Sequence, residues 1–388
     1  MAKKKESQSS RVRNWISRHG NSVLDDSNNG IIAVGIGKKS AGPLNDDSEL
    51  CVTGYVERKL SKSQLKARGI TAFSDSFAAI CGSSPTRQQI KVDVVDAGST
   101  FSAAPKLRVD RSQRGSFGGP RPSVDLQKRF EALRGGIGIT NPVGAYPQFL
   151  SVGTLGFFVE DDQNRLYLVS NNHVIANEND ARVGNAVVQP GTLDLTDTEL
   201  DLMDNLNKLR NALRIGKLSA WVDIEFPTSG GIPFNEVDCA IAIVEQSRRS
   251  MTEVNRVGLG GVSRGLGPNF RIDAATDQFV GSTRVYKAGR TTGWTEGDVV
   301  SIGVITDVEY DAGVARFQNQ IAIQPTADNG GPFSNSGDSG SGIYNENHQL
   351  AALLFAGSTS RTLANPARSV IIALEAELGI GDLTVVRG

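Results

Sequence analysis

Ser339 stands in the stretch Asn335-Ser-Gly-Asp-Ser-Gly-Ser-Gly-Ile343, between an aspartate and a glycine and between two apolar runs. A serine hydroxyl attacks a carbonyl only when a base takes its proton. The tetrahedral intermediate also needs N–H donors aimed at the new oxyanion. A tight turn through Gly337 and Gly340 can expose the hydroxyl and turn the N–H groups of Gly337 and Ser339 the same way, because glycine adopts angles that other residues avoid. The same letters also spell an ordinary Gly/Ser/Asp turn. What separates the two is whether the chain supplies a base and an acid to orient it.

Three histidines are available. His19 sits in a polar N-terminal stretch. His348 lies in Asn345-Glu-Asn-His-Gln349, a turn between strands. His173 follows the apolar strand Leu166-Tyr-Leu-Val-Ser170 within Ser170-Asn-Asn-His-Val-Ile-Ala176, where the core can hold it beside a cleft. His173 is therefore the candidate base. The candidate acid is Asp238, in Glu236-Val-Asp-Cys-Ala-Ile-Ala-Ile-Val244. A carboxylate heading a buried strand is costly unless paired, and a bond to His173 pairs it. Asp223 and Asp194 are the other acids considered; charged and aromatic neighbours suit Asp223 to an exposed strand face.

The elements around these residues fall into two styles. Residues 1–28 are polar, without sustained periodicity, and read as a flexible tail. Residues 29–100 form a small α/β unit, with strands over 31–36, 50–57 and 89–95 and a short helix over 61–68 after a serine cap. Its Gly35-Ile-Gly37-Lys-Lys lacks phosphate-loop spacing. Residues 101–136 have the Gly/Ser/Pro/Arg composition of a linker. From 137 to 388 short strands alternate with glycine turns, the pattern of a barrel or sandwich. A leucine-periodic insertion covers 198–214, and a terminal helix runs to about Gly379.

The order His173, Asp238, Ser339 and the contexts S-N-N-H-V, V-D-C-A-I-A and G-D-S-G-S-G resemble chymotrypsin-fold serine peptidases. Gly153-Thr-Leu-Gly156, Lys287-Ala-Gly-Arg-Thr-Thr-Gly293 and Leu354-Phe-Ala-Gly-Ser358 narrow this. They are similar to the intracellular trypsin-like family of bacteria that includes relatives of the plant narrow-leaf protease. The resemblance implies a mainly β, chymotrypsin-like double β-barrel with a small N-terminal α/β domain. It implies a serine endopeptidase working through an acyl-enzyme, with no cofactor and no metal. Ser339 is then nucleophile, His173 general base and acid, and Asp238 the orienting group; the Gly337 and Ser339 N–H groups form the oxyanion hole. Phe333 aligns with the base of the specificity pocket, and Phe355, Ala356 and Gly357 with the strand that pairs with substrate. A phenylalanine at that base points to a small or apolar substrate side chain rather than Arg or Lys. The alternative is a catalytically silent peptide-binding or scaffold protein on the same fold.

Two departures stand out. Secreted relatives pair a newly cut amino terminus with the aspartate before the nucleophile, here Asp338. No such activation site is evident; Gly135-Gly-Ile-Gly-Ile139 is the nearest match, and an internal partner, such as an arginine, is the other route. Arg290 reads as a surface arginine in a glycine turn; the functional reading has Arg290 or Thr291 lining the cleft. The three cysteines, Cys51, Cys81 and Cys239, make no disulfide framework. Together with a start lacking a secretory core, they suggest a cytoplasmic protein. The net charge of −1 gives no reason to expect nucleic acid or membrane as partner. The partner is a protein or peptide substrate, and the N-terminal unit is a candidate for gating the enzyme or assembling a homo-oligomer.

Overall fold

The computed structural model describes residues 7–39, 50–81, 90–103, 107–108, 126–144, 146, 149–249, 280–281 and 283–386. Most of the expected linker lies outside these residues. The chain is mainly β, as expected, and its strands fall into two principal sheets. The first joins Ala186–Val188, Arg214–Trp221, Ala240–Val244, Leu166–Ser170, Phe157–Glu160 and Thr384–Val385 in that spatial order. A short ladder of Gly138–Ile139 with Gly153–Thr154 adjoins it.

The second sheet closes on itself. Antiparallel pairings run from Arg284–Gly289 to Gly293–Tyr310, on to Gly313–Pro325, Thr362–Pro366, Leu350–Gly357 and Gly342–Asn345, and back to Arg284–Gly289. Such closure removes free edges. The insertion helices Asp197–Leu202 and Leu206–Leu213 pack against the first sheet at Ala186–Val188 and Arg214–Trp221, and the terminal helix Ala367–Leu378 packs between the two sheets, all close to their expected places.

The N-terminal strands Ile31–Lys38, Leu50–Val56 and Lys91–Asp96 do not stand apart from the closed sheet. The first pairs antiparallel with the long strand Gly293–Tyr310, with Ala33 opposite Thr306. The Tyr55 hydroxyl donates to Ser301 Oγ at 2.6 Å across the junction. The expected tail is also different: Gln8–Asp25 is a helix that buries Val12, Trp15, Ile16 and Val23. Those four positions share a face, and Trp15 packs on Phe77 with ring centroids 4.6 Å apart. Gly20 lets the helix approach the long strand, since a Cβ there would lie 2.6 Å from Ile305 Cδ1.

Candidate active site

Strand register brings the first two candidate residues together. Leu166–Ser170 and Ala240–Val244 are antiparallel partners, with Ser170 opposite Ala240. Residues just after 170 and just before 240 must therefore meet at one end of the sheet. His173 sits in the single turn Asn172–Ile175 that follows the first strand. Its Nδ1 lies 2.5 Å from Asp238 Oδ2, and its backbone N–H donates to Asp238 Oδ1 at 3.3 Å. The two asparagines before His173 hold this turn. Asn171 Nδ2 donates to the Asp238 carbonyl at 2.7 Å, and Asn172 Nδ2 to the carbonyl of Val222 at 2.7 Å.

Asp238 is fully buried and receives more donors than the sequence suggested. Tyr310, at the end of the long strand of the closed sheet, donates its hydroxyl to Asp238 Oδ2 at 3.0 Å. Burial, and then the Asp238 charge, push the Tyr310 hydroxyl pKa well above its ordinary value, so it stays a donor. Asn365 Oδ1 accepts the Asp238 N–H at 3.1 Å, and its own amide donates to Gln320 Oε1 at 2.7 Å. These partners satisfy the buried carboxylate, which would otherwise be costly away from water.

Ser339 comes from the closed sheet, in the loop before Gly342–Asn345. Gly337 and Gly340 both take positive φ, 93° each, as the tight turn requires. The loop is pinned to the first sheet: Thr154 N–H donates to the Ser339 carbonyl at 2.7 Å, and Thr154 Oγ1 to that of Gly337 at 2.8 Å. The N–H groups of Gly337 and Ser339 have no acceptor among the described residues. The hydroxyl of Ser339 makes one long contact, 3.5 Å to the Phe355 carbonyl, and His173 Nε2 is buried without a partner. The Ser339–His173 hydrogen bond is thus not formed in this conformation, as often happens in a site without substrate.

The remaining member of the loop, Asp338, has an internal partner, and it is lysine rather than arginine. Lys287 Nζ lies 3.6 Å from Asp338 Oδ2, with both side chains fully buried. The backbone N–H groups of Thr291 and Thr292 donate to Oδ1 at 2.8 and 3.1 Å. Thr292 Oγ1 and the Asn335 N–H donate to Oδ2 at 2.6 and 2.9 Å. The Lys-Ala-Gly-Arg-Thr-Thr-Gly stretch is therefore the cradle of this carboxylate. Lys287 follows Val285 by two in a strand, so it projects to the same apolar side; that is the signal that could have found it. Burial lowers the Lys287 pKa, and the Asp338 charge opposes the shift.

The other candidates are placed elsewhere. Arg290 is not on the surface but buried, ion-paired to Asp194; this pairing also takes Asp194 away from His173. Asp223 is exposed and accepts from Trp221 Nε1 at 2.7 Å. His19 lies on the N-terminal helix against Trp15, and His348 in a turn with φ 60°. Phe333 is buried in the core, with Lys287 Nζ 5.7 Å from its ring centre. Phe355 packs on Phe317, centroids 4.8 Å apart, and offers only its carbonyl to Ser339. Neither ring lines the cavity beside Ser339, of about 200 Å³, whereas Ala356 and Gly357 do. A larger cavity, about 610 Å³, opens among Leu24, Val56, Leu60 and Phe73 of the N-terminal unit; it contains none of the three candidate catalytic residues. Among the described residues no cluster of metal-ligating side chains occurs.

No family model and no curated protein matches the chain. Among solved structures, Protease A of Thermobifida fusca covers 66% of this chain and 100% of its own, at 16% identity and a TM-score of 0.40. A glutamic acid specific serine protease covers 66% and 100%, at 16% identity and a TM-score of 0.39. The HtrA-type protease AlgW covers 63% and 60%, at 15% identity and a TM-score of 0.33. All three are proteases; overlap this loose assigns no family.

Proposed function

We propose that this chain is a serine endopeptidase that hydrolyses peptide bonds of protein substrates, with Ser339, His173 and Asp238 as its triad. The observation that carries this reading is the buried 2.5 Å contact of His173 Nδ1 with Asp238 Oδ2, which leaves His173 Nε2 unpartnered. An imidazole oriented through one nitrogen and open at the other is what a general base needs. The two β modules, with the site between them, are read as a chymotrypsin-like double barrel. A cytoplasmic setting goes with the three free cysteines, of which burial pushes the Cys51 pKa up to about 11 and raises that of Cys239 well above its ordinary value. Among the described residues no helix is long and apolar enough to cross a membrane.

Catalysis requires the Ser339 hydroxyl to turn from the Phe355 carbonyl onto His173 Nε2. The Oγ proton then passes to Nε2 as Oγ bonds to the substrate carbonyl carbon. The carbonyl π pair moves onto oxygen, where the free N–H groups of Gly337 and Ser339 receive it. The imidazolium, stabilised by Asp238, returns the proton to the amide nitrogen as the C–N bond breaks, leaving an ester on Ser339. Water repeats the sequence and frees the acid. Asp238 takes no part in the proton transfer beyond orienting the imidazole, and Tyr310 supports it with a hydrogen bond.

Labelling with a fluorophosphonate probe tests this. The wild type should be modified on Ser339, and Ser339→Ala should lose the label while keeping its melting temperature. A folded wild type that is never labelled would favour the alternative, a peptide-binding scaffold without turnover, to which the unformed Ser339–His173 bond also points.

A further inference from the structure

We propose that the N-terminal unit completes the pocket beside Ser339, and that Ser99 and Ser102 help it select an uncharged polar side chain (Asn, Gln, Ser or Thr) on the residue whose carbonyl is attacked. This rests on the peptidase reading above.

The segment following the third N-terminal strand does not return to its own unit. Phe101 pairs with Val308 of the long strand, and Ser102 with Gly357 of Leu350–Gly357. Phe101 is buried and meets Tyr55 edge-on, so the segment is anchored by a large apolar side chain. It is also bonded to the loop after Gly357. Ser358 Oγ donates to the Ala97 carbonyl at 2.7 Å, and the Thr359 N–H donates to Ser99 Oγ at 3.2 Å. Gly98, at φ 81°, allows the close approach, since a Cβ there would collide with Thr359 Oγ1. Ser99 and Ser102 thereby line the same cavity as Ser339.

The chemistry of that cavity is distinctive. Its walls carry the hydroxyls of Ser99, Ser102, Ser336, Ser358 and Thr359 and the amide of Asn335, and no ionisable side chain. A lysine, arginine or carboxylate entering it would lose water without gaining an opposite charge. A phenylalanine or leucine would leave hydroxyls unpaired. The wall hydroxyls also have a polarity. Ser358 Oγ donates to the Ala97 carbonyl and Ser99 Oγ to that of Thr100, at 3.1 Å. With their protons spent, these oxygens serve as acceptors. Each already accepts one backbone N–H, Ser99 Oγ from Thr359 and Ser358 Oγ from Arg361, and keeps one lone pair for a further donor, which an amide or hydroxyl side chain can supply and a carboxylate cannot. Phe333, buried behind the cavity, has no part in the choice.

The test is a cleavage-site profile of the full-length protein on a peptide library, with fluorophosphonate labelling rate measured in parallel. The wild type should prefer Asn, Gln, Ser or Thr before the scissile bond. Ser102 is exposed, so Ser102→Asp and Ser102→Lys should both fold. The first should raise cleavage after Lys or Arg relative to wild type, the second after Asp or Glu, each by about threefold or more. A wild-type preference for aromatic, aliphatic or charged residues would overturn the polar assignment. Opposite-charge variants with unshifted profiles and normal labelling would overturn the role of the N-terminal segment and leave the peptidase reading intact. Absence of labelling in all three proteins would overturn both.

Discussion

Two buried carboxylates flank the reactive serine, and they are held in opposite ways. Asp238 meets an imidazole whose far nitrogen has no partner, together with a single tyrosine hydroxyl from the other sheet. Asp338 meets a lysine, two backbone N–H groups of one turn, a threonine hydroxyl and the Asn335 N–H. The first arrangement leaves one imidazole nitrogen open to take a proton, as the proposed turnover requires. The second is satisfied on every side and belongs to a fixed anchor. Asp338 lies between Gly337 and Ser339, so fixing it fixes the positive φ of Gly337 and the direction of the Gly337 and Ser339 N–H groups. The cradle spans residues 287–292, whereas the His173–Asp238 pair joins strands of a different sheet. The Ser339 loop is thus anchored through Asp338 by its own module and tied by Thr154 to the module that carries His173 and Asp238.

The largest effect that separates the two carboxylates is expected from Asp238→Asn. An amide would donate toward Nδ1 and force the imidazole proton onto Nε2, where it cannot accept from Ser339. Turnover should fall by roughly 10⁴-fold with the fold intact. The same change at Asp338 removes a charge from an anchor, not from the proton path. A loss of less than about tenfold in Asp238→Asn, measured as kcat on a cleaved peptide, would erase the distinction.

Lys287→Met comes next. It strands the Asp338 charge in the core, which should lower stability by about 3–5 kcal/mol and kcat by about 10²-fold, with KM little changed. Adding Asp338→Asn should restore stability without restoring activity, because the uncharged loop lacks its anchor. Alkaline titration sharpens the point. Burial sets the folded pKa of Lys287 below its ordinary 10.5. Between those two values the unfolded chain holds a proton that the folded chain has lost. Stability therefore rises with pH across that window, while the ammonium facing Asp338 disappears and activity falls. An alkaline loss of activity that tracks unfolding would show that the lysine is only structural.

How much of this was legible depended on where each partner lies in the chain. His173 follows an apolar strand and Asp238 precedes one, and a polar residue in either position announces itself locally. Ser339 is marked by its glycines. Lys287 alternates with the apolar Val285 in its strand, a local mark of a buried side chain, but which carboxylate it meets depends on a loop much later in the chain. The helix Gln8–Asp25 was masked in another way. Its apolar positions are sparse, and the surface that covers them is assembled from Ile31–Lys38, Leu50–Val56 and Phe77 together with the distant strand about Ile305. Tyr310 could not be read at all. It reaches Asp238 from the end of an 18-residue strand whose pairing slips at three places, so its position cannot be counted along the sequence.

Tyr310→Phe should give the smallest effect of the series. The ring keeps its edge contact with His173, centroids 5.8 Å apart, and its stacking on Phe317 at 6.0 Å. Only the hydroxyl bond to Asp238 Oδ2 is lost. A hydrogen bond to a charged group contributes about 1.5–3 kcal/mol. Asp238 keeps its other donors, so the lower end applies, and kcat and the labelling rate should both drop by about tenfold with KM unchanged. Should kcat hold while the melting temperature falls, the tyrosine would be a bolt between the two sheets and not a support for the carboxylate. Asp238 would then be held for catalysis by the first sheet alone, with Tyr310 comparable to the Asp338 cradle in kind if not in strength.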